Sequence, residues 1–258
     1  MWETKKIIAA LLVFVLLIPF TVYGETVVPI LMYHNLNENY AVENANIEMT
    51  PSEFEEQIVA LLQAGYTPIS LYQYYDWENG EDTLPEKPII ITFDDGYLNN
   101  YTHAFPIVKK YNVPITIFVI TDYMGMTDGV TYPHFTWQQA KEMQASGLVD
   151  IESHTCAHSN FLLADKDTTL REVRLSAYMI YKNLGKMPRF LAYPYGNFTI
   201  ETQTELQKAG YFGAVKVKAV TPGVNRKGEE IYALKRITAY GGISGEQLLE
   251  CIEENKGW

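Results

Sequence analysis

The chain has 258 residues, of which 47% are hydrophobic and 20% are charged, so it can fold around a sizeable core and is not a disordered tail. Its formal net charge of −11 at pH 7 disfavours nucleic acid and other polyanions as partners. Two cysteines, Cys156 and Cys251, are too few for a disulfide scaffold. A single bridge between them stays open, and two free, buried thiols are the preferred interpretation.

The first element in chain order is an apolar N-terminal segment. Lys5 and Lys6 precede the run IIAALLVFVLLIPF, and the small residue Gly24 follows it, a pattern typical of a secretory signal peptide cleaved after that glycine. The alternative is an uncleaved membrane anchor, because residues 7–23 reach the lower limit of about 17 residues for a membrane span.

Both interpretations place residues 25–258, the expected folded domain, outside the cytoplasm. This domain is then secreted or held at the extracellular face of the membrane or in the cell wall, with a membrane tether if the segment stays. Loss of residues 1–24 removes two lysines and one glutamate, which changes the net charge to −12. A neutral or cationic ligand fits this charge better than a polyanion does.

Short apolar runs alternate with helical patterns along residues 25–258, and no linker-like stretch divides them. This organisation indicates one domain. Strands are predicted at residues 28–33, 66–70, 88–93, 114–120, 149–153, 189–193, 211–215 and 234–238. Helices are predicted at residues 51–64, 97–110, 136–146, 167–184, 199–209 and 244–255.

The clearest helix follows Thr50, which can cap it. Pro51 suits the first turn, Glu53 completes a capping box, and Gly65 ends the helix. Strands followed repeatedly by helices predict parallel strands with right-handed crossovers. At seven or eight repeats, such a chain closes into an α/β fold of the (β/α)-barrel type.

Polar side chains follow four of the predicted strands. In a βα barrel, the groups just beyond the C-terminal ends of the strands gather on one face. The residues at these positions are His34, Asp94, Asp95, His154 and the segment 193–196. For Asp94 and Asp95 the simplest alternative is an ordinary strand-to-helix turn, since Asp and Gly favour such connections and Asp can cap a helix.

His154 and His158 have the spacing His-x-x-x-His, which would bring both imidazoles onto one helical turn. The same spacing also occurs by chance in ordinary helices. Joined by an aspartate from a neighbouring strand end, the pair completes a His₂Asp set that leaves positions on a metal ion open for water. The combination predicts a metal site.

Three blocks of residues resemble the motifs of a known enzyme family. TFDDG, SHTCAH and AYPYG occur in that order and resemble the first three motifs of the polysaccharide deacetylases, carbohydrate esterase family 4. The opening VPILMYHNL and the later LKRITAYGG resemble the subgroup that acts on poly-N-acetylglucosamine and related surface polymers. The resemblance extends from residue 28 to residue 252.

The resemblance implies a distorted (β/α) barrel of about seven parallel strands. It implies that Asp94 is the catalytic base, and that Asp95, His154 and His158 hold a divalent metal ion, usually zinc. It also implies that the Tyr195 backbone N–H stabilises the oxyanion of the reaction. The partner would be an N-acetylated glycan polymer, which would lose acetate and keep a free amino sugar.

The chain departs from the family pattern in three places. Ala192 stands where many members carry arginine, residues 214–223 lack the usual Asp-x-x-Asp-Trp block, and no Leu-x-x-His motif is found near the C-terminus. We therefore expect Arg236 to hold the Asp94 carboxylate through a bidentate pair. The alternative is a surface or structural arginine.

His34 is the candidate for the general acid that the missing C-terminal motif leaves unassigned. Imidazole has an unperturbed pKa near 6.5, which suits proton delivery at neutral pH. The MYH block also resembles that of the subgroup lacking the C-terminal motif. The alternative is a buried histidine that ties down the first strand by hydrogen bonds.

The sequence thus favours metal-dependent N-deacetylation of a polymer that contains N-acetylglucosamine. Two enzyme alternatives are a peptidoglycan deacetylase and an O-acetyl glycan esterase. An alternative of another class is a secreted glycan-binding protein with a decayed site, suggested by the missing arginine and acid. The four residues Asp94, Asp95, His154 and His158 argue against decay, because a binding module needs no base beside a metal.

Overall fold

The computed structural model describes residues 26–217 and 223–256. The N-terminal segment interpreted as a signal peptide or anchor, residues 1–24, lies outside these ranges. No helix within the two ranges is both long enough and apolar enough to cross a membrane.

The centre of the molecule is a parallel β-sheet that curls back on itself. The strands are β1 Val27–Val28, β2 Ile30–Tyr33, β3 Asn35–Leu36, β4 Glu48–Met49, β5 Thr67–Pro68, β6 Pro88–Phe93, β7 Ile115–Val119, β8 Val149–Ser153, β9 Phe190–Ala192, β10 Gly213–Lys216, β11 Asn225–Arg226, β12 Leu234–Lys235 and β13 Ile237–Thr238. Eight of them follow the spatial order β12-β10-β9-β8-β7-β6-β2-β13, and all neighbouring pairs are parallel.

The last two strands nearly close this sheet into a barrel. β12 pairs with β10 and β13 pairs with β2, and Arg236 alone separates β12 from β13. One short segment therefore connects the two edges of the sheet. The predicted distorted barrel of parallel strands is confirmed, with eight strands in place of seven because the strand expected at 234–238 divides at Arg236.

Seven α-helices lie in the described part of the chain. They are α1 Pro51–Gln63, α2 Leu71–Glu78, α3 Phe105–Tyr111, α4 Trp137–Ala145, α5 Lys166–Leu184, α6 Ile200–Lys208 and α7 Gly245–Lys256. α1 begins with the predicted capping box, since the Glu53 N–H donates to the Thr50 hydroxyl and the Thr50 N–H donates to the Glu53 carboxylate. The local rules of helix initiation therefore fix this element.

Two helices differ from the sequence prediction. α2 has no counterpart among the predicted helices, although Ser70 and Gln73 form a capping box at its start. The helix expected at 97–110 is present from residue 98 to Tyr111, but it contains a π-helical turn at Asn100–Ala104 that the sequence did not predict. Such wide turns are frequent at functional sites. Here the Asn100 side-chain amide donates to the His34 carbonyl at 2.7 Å.

Side chains of the strands alternate between the barrel interior and the layer under the helices. Ile30 and Ile90 belong to a cluster that α2 completes with Leu71. The alternate residues Leu31 and Ile91 pack with side chains of the outer helices. Because successive side chains point to opposite faces of a strand, the first cluster fills the barrel interior and the second lies under the helices.

Candidate active site and metal centre

One rim of the barrel carries all seven residues that the sequence nominated. His34 follows β2, Asp94 and Asp95 follow β6, His154 and His158 follow β8, Tyr195 follows β9, and Arg236 lies between β12 and β13. The structure brings them together because the carboxyl ends of parallel strands meet at the same edge.

The turn after β6 separates two adjacent carboxylates. The Asp94 N–H donates to the Tyr33 carbonyl at 3.0 Å, which extends the pairing with β2. Asp95 then has a φ of 70° and Gly96 a φ of 80°. A Cβ at Gly96 would approach Val119 to 3.0 Å, so the turn requires glycine. The segment is a turn, as the simplest interpretation expected, and the turn directs the two carboxylates to different partners.

Asp94 pairs with Arg236 inside the barrel mouth. Arg236 Nη1 donates to Asp94 Oδ1 at 2.7 Å and Nη2 donates to Oδ2 at 2.6 Å. The Arg236 side chain is 0% exposed and the Asp94 side chain is 3% exposed. Burial raises the pKa of Asp94, but the charge of Arg236 and its hydrogen bonds to the carboxylate outweigh burial and hold this pKa well below its usual range. Asp94 is therefore a carboxylate at neutral pH.

Asp95 faces His154 and His158 on the other side of the turn. Within the described residues, these three form the one group of His, Cys, Asp and Glu that could hold a metal ion, with ligand atoms within 4.8 Å of one another. Asp95 Oδ1 lies 3.4 Å from His154 Nε2 and 3.8 Å from His158 Nε2. Tetrahedral zinc with bonds of about 2.1 Å spaces its ligands by about 3.4 Å. The three side chains therefore fit such an ion after small movements.

The rings of the two histidines are prepared for binding in different ways. His154 Nδ1 lies 2.8 Å from the Ala192 carbonyl, which can only accept a hydrogen bond, so Nδ1 is the donor and Nε2 faces Asp95. The backbone at position 192 thus serves the centre although its side chain departs from the family pattern. Burial and the neighbouring His154 lower the pKa of His158 to about 4. His158 is therefore neutral at neutral pH, the form that binds metals.

The two histidines lie on a loop, which corrects the helical turn expected from their spacing. Thr155 and His158 have φ values of 70° and 59°, and the His158 N–H donates to the Thr155 hydroxyl at 3.0 Å. Asp95 and Tyr195 also have positive φ, so four of the five such non-glycine residues in the described chain lie at this rim. Conformations of this kind cost of order 1–3 kcal/mol each and cluster at functional sites.

His34 stands beside Asp94 at the mouth of the barrel. Its Nε2 lies 4.0 Å from Asp94 Oδ2. Burial lowers the pKa of His34 below its usual value, although Asp94 and Asp95 oppose this effect. The ring is therefore mostly neutral at neutral pH, and its protonated form is a stronger acid than an exposed imidazolium.

Tyr195 projects from the loop after β9. Its φ is 60°, its side chain is 62% exposed, and its ring centroid lies 4.7 Å from that of His158. At Gly196, with a φ of 68°, a Cβ would collide with the Val217 backbone. The AYPYG block thus requires its glycine to bring Tyr195 next to the metal centre.

Two cavities flank the cluster of titratable groups. A groove of about 770 Å³ is lined by His34, Tyr195, Phe198 and Tyr240 among others. On the opposite side, a cavity of about 240 Å³ is bordered by Asp95 and His158 together with tyrosine side chains. The cluster of titratable groups therefore lies at the edge of an open groove large enough for an extended ligand.

Sequence reasoning missed two polar residues that support the site. Asn100 holds the backbone of His34, and Glu172 of α5 accepts hydrogen bonds from the loop that carries His158. A signal for Glu172 is present, because it occupies a core position of an amphipathic helix between buried Thr169 and Val173. A glutamate at such a position is unusual unless it has a partner.

Comparisons with known proteins agree with this geometry. The polysaccharide deacetylase family model matches residues 81–214. The chain is 32% identical over 226 residues to the poly-beta-1,6-N-acetyl-D-glucosamine N-deacetylase of Staphylococcus epidermidis, covering 84% of this chain and 75% of that protein.

Two solved structures show the same fold. The deacetylase PplD of Streptococcus pyogenes, in complex with acetate, superimposes with a TM-score of 0.79 at 27% identity over 89% of this chain and 99% of that one. IcaB from Ammonifex degensii gives a TM-score of 0.77 at 26% identity over 88% and 97% of the two chains. The chain belongs to the polysaccharide deacetylase family.

Proposed function

We propose that the protein is a metal-dependent N-deacetylase of N-acetylglucosamine polymers. The observation that carries the proposal is the division of the two aspartates. Asp94 is a buried carboxylate held by Arg236, and Asp95 beside it belongs to the His154–His158 cluster. A base next to a ligand set, but outside it, is what metal-assisted hydrolysis of an amide requires.

Asp95, His154 and His158 are the proposed ligands of the ion, and zinc is the proposed ion. One carboxylate and two imidazoles are ligands that zinc accepts, and three protein ligands leave a coordination position open. When bound, the ion supplies a Lewis acid that lowers the pKa of water and polarises the acetamide carbonyl. The hydrogen bond from His154 Nδ1 to Ala192 keeps that ring oriented.

Asp94 is the proposed general base. Its low pKa keeps it ionised, and its Oδ2 lies 4.0 Å from His154 Nε2, close to the ligand cluster. Arg236 fixes both carboxylate oxygens, so the base is oriented before the substrate arrives. Asp94 accepts a proton from the attacking water while a new C–O bond forms at the acetyl carbon.

Two further residues complete the proposed reaction. The backbone N–H of Tyr195 is the proposed donor to the oxyanion that develops on the acetyl oxygen. His34, in its protonated form, gives a proton to the sugar nitrogen as the C–N bond breaks. The products are acetate and the amine of the sugar. The oxygen of the water ends in the acetate, and its two hydrogens end on the nitrogen, which leaves as an ammonium group.

The substrate side of the proposal rests on the groove and on the relatives. Tyr195 and Tyr240 are 62% and 45% exposed at the groove, where flat rings with a polar tip can pack against sugar faces. The curated relative of Staphylococcus epidermidis is named for poly-beta-1,6-N-acetyl-D-glucosamine. We infer the same substrate class, an extracellular location for residues 25–258, and removal or membrane insertion of residues 1–24.

The experiment that tests the substrate is acetate release by the purified protein from three materials: poly-β-1,6-N-acetylglucosamine, N-acetylated peptidoglycan and an O-acetylated glycan. The proposal expects the first to be the best substrate by kcat/KM. Preference for the second indicates a peptidoglycan deacetylase, and preference for the third an esterase. Sugar binding without any release of acetate would show a glycan-binding protein.

A further inference from the structure

Glu172 lies directly behind the loop that carries His158. It belongs to α5 and is fully buried. Its Oε2 accepts hydrogen bonds from the N–H groups of Cys156 and Ala157 at 2.8 and 2.9 Å, and its Oε1 accepts one from the Ser159 hydroxyl at 3.0 Å. One carboxylate therefore accepts from two N–H groups between the histidines and from one hydroxyl just after His158.

The N–H groups of Cys156 and Ala157 lie outside the helices and strands of the described chain and donate to Glu172. The segment has left-handed residues at Thr155 and His158, so its amide groups do not pair in a helix or strand. A buried N–H group without an acceptor has lost its hydrogen bonds to water without a replacement, which destabilises the folded state. A carboxylate is the side chain that can accept from several donors at once, and hydrogen bonds to a charged acceptor are the stronger kind.

The two histidines depend on this support unequally. The His154 ring is fixed by the Ala192 carbonyl, from another strand. The His158 ring contacts the rings of His154 and Tyr195, and its backbone N–H donates to Thr155. The position of His158 is therefore set by the course of the loop, which Glu172 fixes from α5 while the N–H groups of Thr121 and Asp122 donate to the Thr155 and Cys156 carbonyls.

We propose that Glu172 is a positioning residue of the metal centre, which presents His158 to the ion by anchoring residues 156–159. The inference rests on the proposed metal-dependent function. It assigns to α5 a role in metal affinity, although none of the sequence motifs of the rim lies on that helix.

Glu152 offers a matched control for the experiment. It is also fully buried, and its carboxylate also accepts from two N–H groups and one hydroxyl, those of Arg189, Phe190 and Tyr72. These partners lie outside the 154–159 loop. Glu152→Leu and Glu172→Leu therefore remove the same kinds of hydrogen bond, one set away from the metal loop and one set within it.

The test is zinc affinity of the purified full chain, measured by competition with a chelator, together with thermal unfolding of each variant without metal. Glu172→Leu should weaken zinc binding by about 10–100-fold, the usual effect of losing an outer partner of a ligand. Glu172→Gln should keep most of the zinc affinity of the parent, because its amide oxygen can accept from both N–H groups and its NH₂ can donate to the Ser159 hydroxyl. Glu152→Leu should lower the unfolding temperature and leave zinc affinity near that of the parent.

Three results would overturn the inference. In the first, Glu172→Leu binds zinc as tightly as the parent. In the second, both leucine variants weaken zinc binding equally, as a general loss of stability would. In the third, the parent itself binds no zinc, which removes the metal centre of the proposed function as well. If Glu172→Leu does not fold, Glu172→Asp replaces it: the shorter side chain should weaken zinc binding, and parental affinity would overturn the inference.

Discussion

Asp94 and Asp95 are neighbours in the chain, yet the structure gives them different environments. Asp94 faces a buried arginine, and Asp95 faces two imidazoles. Asp94→Asn should therefore keep bound zinc and lose about 10²–10⁴-fold in kcat, because an amide cannot accept the proton of water. Asp95→Ala should lose zinc and activity together. Metal analysis and acetate release from each variant make the comparison, and an active Asp94→Asn variant would refute the division of roles.

In the proposed mechanism, Arg236 keeps Asp94 ionised and able to act as the base. Without the guanidinium, burial is left to raise the pKa of Asp94. Arg236→Met should therefore reduce kcat strongly at neutral pH and cost about 3–5 kcal/mol in unfolding free energy, as for other broken buried pairs. Arg236→Lys keeps the charge without the bidentate geometry and should retain more activity. Arg189→Met, which removes an arginine outside the rim, is the control, and equal losses in both methionine variants would count against the role.

The proposed acid role of His34 makes a prediction about leaving groups. His34→Asn should fold and hold zinc, yet lose most turnover on an acetamide, whose amine departs only after protonation. An ester with a good leaving group needs little protonation and should lose much less. The comparison is kcat for both substrates with parent and variant. Equal loss on both substrates would favour a structural histidine instead.

The site residues could largely be nominated from sequence, because strand ends and short motifs locate chemistry-bearing groups. The residues that support the site and the burial of its groups could not be predicted in this way. Glu172 lies 16 residues from Cys156 and meets it only because α5 packs against the loop. The lowered pKa of His34 likewise depends on burial, which no motif reports.

At the scale of elements, the segment β12–Arg236–β13 has two tasks. It nearly closes the barrel by pairing with β10 and β2, and the break between its halves directs Arg236 into the mouth. The sequence predicted one continuous strand there, since LKRIT has no residue that interrupts a strand. In the structure, the pairing of β12 with β10 and of β13 with β2 divides this segment at Arg236. Capping boxes, which depend on neighbouring residues alone, were readable for α1 and equally present for α2.

Glu152 on β8 makes the stability of the fold depend on pH. Burial raises its pKa from 4.5 to about 7, against the lowering effect of the Phe190 N–H and Lys186. The folded protein then holds a proton between those pH values that the unfolded chain has released, so the contribution of Glu152 to stability is greatest below pH 4.5 and decreases as the pH rises to about 7. The full difference is about 3 kcal/mol.

Glu152→Gln should remove this decrease, because glutamine does not ionise. Urea unfolding of parent and variant at pH 5 and pH 8 tests it. The parent should lose more stability than the variant between the two values. The same loss in both proteins would show that Glu152 is not the group responsible.

At the scale of the molecule, the fold class followed from the alternation of strand and helix patterns, which depends on chain order and not on detail. The number of strands and the π-helical turn depend on how distant segments pair and pack, and so they required coordinates. The open groove and the net charge fit a polymer that gains positive charge as its acetyl groups are removed.

The central claim is that a metal bound by Asp95, His154 and His158 enables acetate release from an N-acetylglucosamine polymer. The most direct measurement is acetate release from poly-β-1,6-N-acetylglucosamine by the purified protein as prepared, after complete chelation, and after zinc is returned. The account predicts release, its loss on chelation, and its recovery with zinc, with no recovery in His154→Ala. Undiminished acetate release from protein shown by metal analysis to hold no metal would contradict it.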